Sequence, residues 1–121
     1  MNQDALHAQL EAMAALPSVQ GCAVVDLENG MAWQHAGALP QLQALAESCC
    51  DYWRLAQRRR NDFDALGAMR ALVAIHGQAR VTLVGCGAGL LLVTLSDEPD
   101  RTDWRRWTTQ VQALRELLAS F

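Results

Sequence analysis

The chain of 121 residues has the length of one domain, and with 51% hydrophobic and 19% charged residues it is too apolar to be disordered. Its formal net charge of −3 argues against a general nucleic-acid binder, because a phosphate backbone is bound by basic surfaces. All 10 basic residues are arginines, whereas a Walker-type phosphate-binding loop requires a lysine. The composition therefore predicts a single domain, residues 1–121, without nucleic acid as a partner.

The four cysteines have no CxxC spacing, and the first residues lack the basic residues of a secretory signal. The longest apolar run, residues 90–93 with their neighbours, is far shorter than the roughly 20 residues that cross a bilayer. His7, His35 and His76 lack the spacing of metal ligands. We therefore expect a cytoplasmic protein with free thiols, no membrane partner, and no metal or other cofactor.

Two patterns organise the first part of the chain. One is an apolar stripe at helical spacing, formed by Leu6, Leu10, Met13 and Leu16. Pro17 ends this helix. The other lies in residues 21–27, which are apolar on both alternating faces and so predict a strand buried on both sides. The pair Asn29-Gly30 then predicts a tight hairpin to a partner strand at residues 31–36.

The rest of the chain is predicted to form a helix, three strands and a last helix. The middle helix covers about residues 41–60, and its apolar arc of roughly 160° is wider than the ~100° needed to pack on one surface. Strands are predicted at residues 68–76, 80–84 and 90–95, and the last is apolar enough to lie mid-sheet. The final helix carries the stripe Trp104, Trp107, Val111, Leu114 and Leu118. The predicted order is α-β-β-α-β-β-β-α.

Several short motifs, taken in order, resemble one known family. Residues 16–26 read Leu-Pro-Ser-Val-Gln-Gly-Cys-Ala-Val-Val-Asp, and Glu28 and Gly30 follow in the hairpin. A glycine turn then leads into a leucine-rich strand at residues 87–95, before the closing amphipathic helix. These features resemble the roadblock/LC7 domains, relatives of a dynein light chain and of bacterial regulators of Ras-like GTPases. The resemblance implies an α+β, profilin-like fold: a five-stranded antiparallel sheet with the terminal helices on one face and the middle helix on the other.

The resemblance also implies homodimers, in which the third strands of two subunits join edge to edge while the middle helices pack together. The residues agree with this, because an alternating apolar strand at residues 68–76 would be an aggregation hazard if its edge stayed unpaired. The expected self-association residues are Tyr52, Trp53, Ala56, Met69, Ala71, Val73 and Ile75. The expected binding site for a further protein partner comprises Arg54, Arg58 and Arg59, which would form a basic rim beside the dimer helices.

The predicted function is that of a non-catalytic homodimeric adaptor or regulator. Its partner would be a small Ras-like GTPase or a related signalling or motility assembly, and family members that stimulate a GTPase do so by positioning the GTPase's own residues. We therefore expect no enzyme activity of its own.

Cys49 and Cys50 are assigned to the core rather than to a redox pair, because neighbouring helical side chains point about 100° apart.

The alternative is a small-molecule sensor or small enzyme on a similar α+β scaffold. Its site would use Asp26, His35 or the glycine-rich turn at residues 85–89. That turn has the pattern G-x-G-x-G and leads into a strand, whereas a dinucleotide-binding loop has the pattern G-x-G-x-x-G and leads into a helix. The pattern therefore favours a hairpin turn.

Overall fold

The structure, a computed structural model, describes residues 3–87 and 89–120. Its helices and strands have the predicted order, with a short 3-10 helix at Arg60–Leu66 and another at Pro99–Arg101. The elements are α1 (Gln3–Ala14), β1 (Val19–Asp26), β2 (Ala32–Gly37), α2 (Leu42–Arg58), β3 (Leu72–Ile75), β4 (Arg80–Gly87), β5 (Leu90–Ser96) and α3 (Trp104–Leu118). The α+β class and the element order predicted from the sequence are confirmed.

The five strands form one antiparallel sheet in the order β2-β1-β5-β4-β3. Every residue of β5 is buried, which confirms the mid-sheet position predicted from its apolar sequence. β1 lies between β2 and β5, and its central residues are buried as well. Consequently β2 and β3 are the two edge strands of the sheet.

The sheet separates two hydrophobic cores. On one face, α1 and α3 cover a core that includes Leu10, Leu114, Val24 and Leu92. On the other face, α2 covers a core formed with the alternate strand residues, among them Val93. The terminal helices therefore share one face and the middle helix lies on the other, as the resemblance implied.

β1 and β2 approach each other closely where α2 begins. Gly21 lies opposite Gly37, and a Cβ atom on Gly37 would be 2.4 Å from the carbonyl oxygen of Gln20. Gly37 also has a φ of +131°, which side-chain-bearing residues rarely adopt. A Cβ atom on Gly21 would lie 2.8 Å from a methyl group of Leu42. The two glycines thus let the first residue of α2 pack directly on the β1 backbone.

The structure differs from the sequence prediction around β3. The strand has four residues, Leu72–Ile75, whereas the apolar pattern predicts a strand over residues 68–76. Met69 and Arg70 do not pair with β4 and instead line a cavity of about 510 Å³ that also borders Gly85. Residues 62–67, which lie between the predicted middle helix and the predicted third strand, supply most of the 3-10 helix that follows α2.

Candidate protein-interaction surface

β3 presents apolar side chains at an outer edge of the sheet. Ile75 is 82% exposed and Val73 is 41% exposed, although both are aliphatic. Ile75 pairs with Arg80 and Val73 with Thr82, so their side chains lie on the α1/α3 face of the sheet, beyond the core. Leu72 and Ala74 project from the opposite face and are half-buried beside the core under α2. Both faces of this edge are therefore apolar.

A second apolar stripe lies along α2, next to the residues that face the core. Tyr52 is 44% exposed, and Leu45 lies seven residues before it on the same side of the helix. Ala56, one turn after Tyr52, is half-buried. Together with β3, these residues form what we call the α2–β3 surface, comprising Leu45, Tyr52, Ala56, Leu72, Val73, Ala74 and Ile75.

The orientation of α2 follows from two polar contacts on its other side. Glu47 accepts a hydrogen bond of 2.9 Å from the backbone N–H of Ala32, and Arg54 donates to the carbonyl oxygen of Leu27. Both contacts tie α2 to the β1–β2 hairpin, and the helix packs mainly over β1, β2 and β5. The stripe containing Tyr52 lies on the opposite side of α2 and so points toward the β3 edge.

Trp53 has a different environment from its neighbour Tyr52. It is 7% exposed and belongs to the core between α2 and the sheet. Its ring passes over Gly85 of β4, where a Cβ atom would be 3.7 Å from the Cζ2 atom of Trp53. Of the residues expected to mediate self-association, Trp53 therefore packs within a single chain and offers little surface to a second one.

The other expected residues are divided between the strand and the segment before it. Met69 is partly exposed and Ala71 is exposed, but both precede β3. Exposed apolar side chains that the sequence analysis did not single out include Leu55, Phe63 and Leu66. In the sequence, Phe63 and Leu66 stand out as apolar residues in the polar segment between the middle helix and the third strand.

The three arginines expected to bind a partner have unequal roles. Arg54 contacts Leu27 and forms an ion pair of 3.6 Å with Asp51, so it braces the hairpin. Arg59 lies 3.8 Å from Asp62, an exposed pair of small energetic value. Arg58 is exposed, and no carboxylate in the described ranges lies within ion-pair distance of it. Arg58 and Arg59 are thus the two that a partner can reach.

The residues of the alternative small-molecule site do not converge. Asp26 accepts a hydrogen bond of 2.8 Å from the N–H of Glu28 and so stabilises the hairpin turn. His35 pairs with Ala23, three residues along β1 from Asp26. A cavity of about 650 Å³ borders Gly87 and Gly89 together with arginines of α2, but neither Asp26 nor His35 lines it. Ala88 of the same turn lies outside the described residues.

The cysteines are free and buried. Burial raises the pKa of Cys22 and of Cys86 to about 12, and the pKa of Cys49 to about 11. The pKa of Cys50 is also raised, chiefly by burial. Because the thiolate is the reactive form, these side chains are poor nucleophiles at neutral pH and serve as small core residues.

Neither a metal-binding cluster nor a membrane-spanning helix occurs within residues 3–87 and 89–120. No three histidine, cysteine, aspartate or glutamate side chains in these ranges come together in an arrangement that could bind a metal ion. None of the helices described has both the length and the apolar character needed to cross a membrane.

Comparison with known proteins identifies the fold. A roadblock/LC7 domain from Streptomyces avermitilis superposes with a TM-score of 0.77 and 16% identity, over 99% of this chain and 97% of that one. The gliding protein MglB of Thermus thermophilus superposes with a TM-score of 0.72 and 19% identity, over 97% of this chain and 87% of that one. MglB of Myxococcus xanthus superposes with a TM-score of 0.78 and 15% identity, over 100% of both chains. This chain therefore has the roadblock/LC7 fold, which confirms the resemblance at the level of structure.

No family model matches the sequence, and no curated protein is similar enough to count as a relative. The likeness thus lies in the three-dimensional arrangement of the elements far more than in individual residues.

Proposed function

We propose that the protein is a non-catalytic homodimeric adaptor that binds another protein. The observation that carries the proposal is the α2–β3 surface, where an apolar edge strand lies beside an apolar helical stripe. Unpaired strand edges are liable to aggregate, and soluble proteins cover, charge or pair them. In β3 the side chains of Val73 and Ile75 offer no charge, so pairing with a second copy is the solution that we favour.

A two-fold arrangement supports the same conclusion. Pairing β3 with its copy would extend the sheet across two subunits and bring the Tyr52 stripes of both α2 helices together, since the stripe and the strand lie at one edge. A surface that contacts its own copy is the usual form of a homodimer interface. One protein with this fold, an MglB, has been solved in a tetrameric arrangement, so self-association is compatible with the fold.

The further partner that we favour is a small Ras-like GTPase or a related signalling or motility assembly, in line with the family resemblance. The guanidinium groups of Arg58 and Arg59 lie at the end of α2, with Arg58 on the same side of the helix as Arg54, and would contact acidic groups of the partner. The thiols of this chain are buried, and Asp26 and His35 lie apart. We infer that any effect on a GTPase would come from positioning the GTPase's own residues.

Self-association is tested by a charge placed on β3. In a two-fold interface Val73→Asp introduces two carboxylates near one another, so we expect the variant to be a monomer by light scattering at tens of micromolar protein, a concentration suited to an interface of standard size. Met31→Asp is the matched control, because Met31 is also exposed and apolar but lies at the opposite edge. A Val73→Asp protein that remains a soluble dimer contradicts the β3 assignment.

Partner binding is tested separately with the small Ras-like GTPases of the source organism, each loaded with GDP or with a GTP analogue. The double variant Arg58→Glu and Arg59→Glu should keep the dimer and weaken GTPase binding by roughly tenfold or more, as expected for charge reversal at an interface. Arg105→Glu with Arg106→Glu on α3 changes the charge equally and serves as control. If both double variants bind a GTPase as well as the unchanged protein does, the arginine assignment is wrong.

A further inference from the structure

The charges of this chain are distributed unevenly along the sequence. No lysine or arginine precedes Arg54, whereas 6 of the 13 acidic residues do. The segment before Arg54 supplies α1, β1, β2 and most of α2, which together form one side of the molecule. All 10 arginines lie in the remaining part, which includes β3, β4 and α3. One edge of the sheet is therefore acidic, and the arginines lie toward the other.

The acidic groups lie around β2 on both faces of the sheet. Glu28 is exposed in the hairpin that leads into β2. On the α2 face, Glu47 contacts the first N–H of β2, and Asp51 follows it one helical turn later. On the α1 face, Asp4 follows Gln3, whose carbonyl oxygen accepts a hydrogen bond from the side chain of Gln34 in β2. The guanidinium group of Arg54 reaches this region, and its ion pair with Asp51 offsets one of these negative charges.

β2 also carries exposed apolar side chains. Met31, immediately before the strand, is 60% exposed, and Trp33 within it remains partly exposed. His35 is exposed further along the strand. Within the described ranges β2 pairs with β1 alone. An apolar edge strand surrounded by carboxylates combines two recognition elements: backbone groups that pair with an extended chain, and charge that selects its composition.

We propose that the β2 edge is a docking site for an extended, arginine- or lysine-rich segment of another protein, which adds to the sheet as a further strand. Alternate side chains of the docked segment would lie on the α2 face, toward Asp51 and Glu47, since strand side chains alternate between faces. The apolar parts of these long side chains would cover Met31 and Trp33. The same carboxylates repel nucleic acid and anionic membrane surfaces.

This site goes beyond the proposed dimer and does not depend on it. The β2 edge is open in the single chain, and β3-to-β3 pairing would leave one β2 edge at each end of the extended sheet. A dimer would therefore offer two equivalent docking sites, far apart and independent of the arginines at the end of α2.

The test uses the full chain and three fluorescent nonapeptides at low ionic strength, with binding followed by anisotropy. One peptide alternates Arg with Val, the second alternates Arg with Pro, and the third alternates Glu with Val. The Arg-Pro peptide has the same charge as the first but lacks half of the backbone donors and resists strand pairing. We expect the Arg-Val peptide to bind with saturation, and the other two to bind at least roughly tenfold more weakly.

Two matched double variants locate the site. Glu28→Arg with Asp51→Arg should weaken Arg-Val binding by roughly tenfold or more, whereas Asp97→Arg with Asp100→Arg, an equal change in charge elsewhere, should weaken it less than about threefold. Backbone amide shifts should concentrate in residues 31–37. Light scattering on the same samples separates this result from dimer formation, because both double variants should keep the oligomeric state of the unchanged protein.

Any one of four peptide-binding or amide-shift results overturns the proposal. The Arg-Val peptide does not bind, the Arg-Pro peptide binds equally well, the two double variants weaken binding equally, or the amide shifts fall on β3 instead of β2. A change of assembly in the Glu28→Arg, Asp51→Arg protein also overturns it, because it would indicate that a second copy of this chain occupies the edge.

Discussion

Replacing Trp53 with alanine should destabilise the folded chain itself. Trp53 is almost fully buried between α2 and the sheet, and the backbone at Gly85 borders its ring. The sheet backbone cannot move into the space that the indole leaves. We therefore expect Trp53→Ala to lower the free energy of unfolding by about 3–5 kcal/mol, the range found when large aromatic side chains are truncated. This is a large part of the roughly 5–15 kcal/mol that stabilises a typical domain. Tyr52→Ala, one residue away, removes a ring that is 44% exposed and should lower the stability of the single chain by less than about 1 kcal/mol.

Urea unfolding followed by circular dichroism at 222 nm, repeated over a hundredfold range of protein concentration, distinguishes the two variants. Trp53→Ala should lower the unfolding midpoint at every concentration. Tyr52→Ala should lower it mainly where the unchanged protein gains stability from association, because the stabilisation that a dimer interface provides grows with protein concentration. If Trp53→Ala unfolds at the same midpoint as the unchanged protein but is a monomer, then Trp53 serves the interface and our assignment of it to the core is wrong.

Two further predictions concern the backbone and the thiols. Gly37→Ala should lower the free energy of unfolding by at least ~2 kcal/mol, since it combines a disfavoured φ with a clash against β1. Gly77→Ala has open space around it and should change that free energy by no more than ~0.5 kcal/mol. Equal melting temperatures for the two variants would contradict this prediction. The thiols of Cys22 and Cys86 stabilise the fold in their protonated form, so their contribution is complete below pH 9 and is lost as the pH rises toward 12. At pH 10 the loss should be about 1.4 kcal/mol for each of these two thiols, and a double alanine variant should lack these two contributions in urea unfolding while keeping that of Cys49.

Much of the fold could be predicted because periodicity reports burial directly. The continuous apolar run of residues 90–95 predicted a central strand, and β5 has that position with all of its residues buried. The Asn29-Gly30 turn and the stripes of the terminal helices were likewise located by patterns of nearby residues. Each of these features depends on neighbours in sequence, which a single chain displays.

The candidate surface was less predictable because its character depends on how elements lie against each other. The apolar arc of α2 contains both Trp53 and Tyr52, and nothing in the helical spacing indicates that the first is buried and the second exposed. That difference arises because Glu47 and Arg54 anchor α2 toward the hairpin. Similarly, the apolar alternation from Met69 onward predicts a long strand, but only the part opposite Leu83 and earlier residues of β4 forms the ladder.

The position of β5 has a consequence for how the protein is made. β1 is synthesised early, yet its inner edge pairs with β5, so Val25 has no partner on that side until Leu91 has left the ribosome. β4 depends on the same strand, which means that the two hairpin halves of the sheet have no direct contact until β5 joins them. Such non-local pairing slows folding and leaves apolar strands exposed meanwhile. A chain interrupted before Leu90 would hold two hairpins that do not pair with each other, each with an apolar inner edge exposed to aggregation.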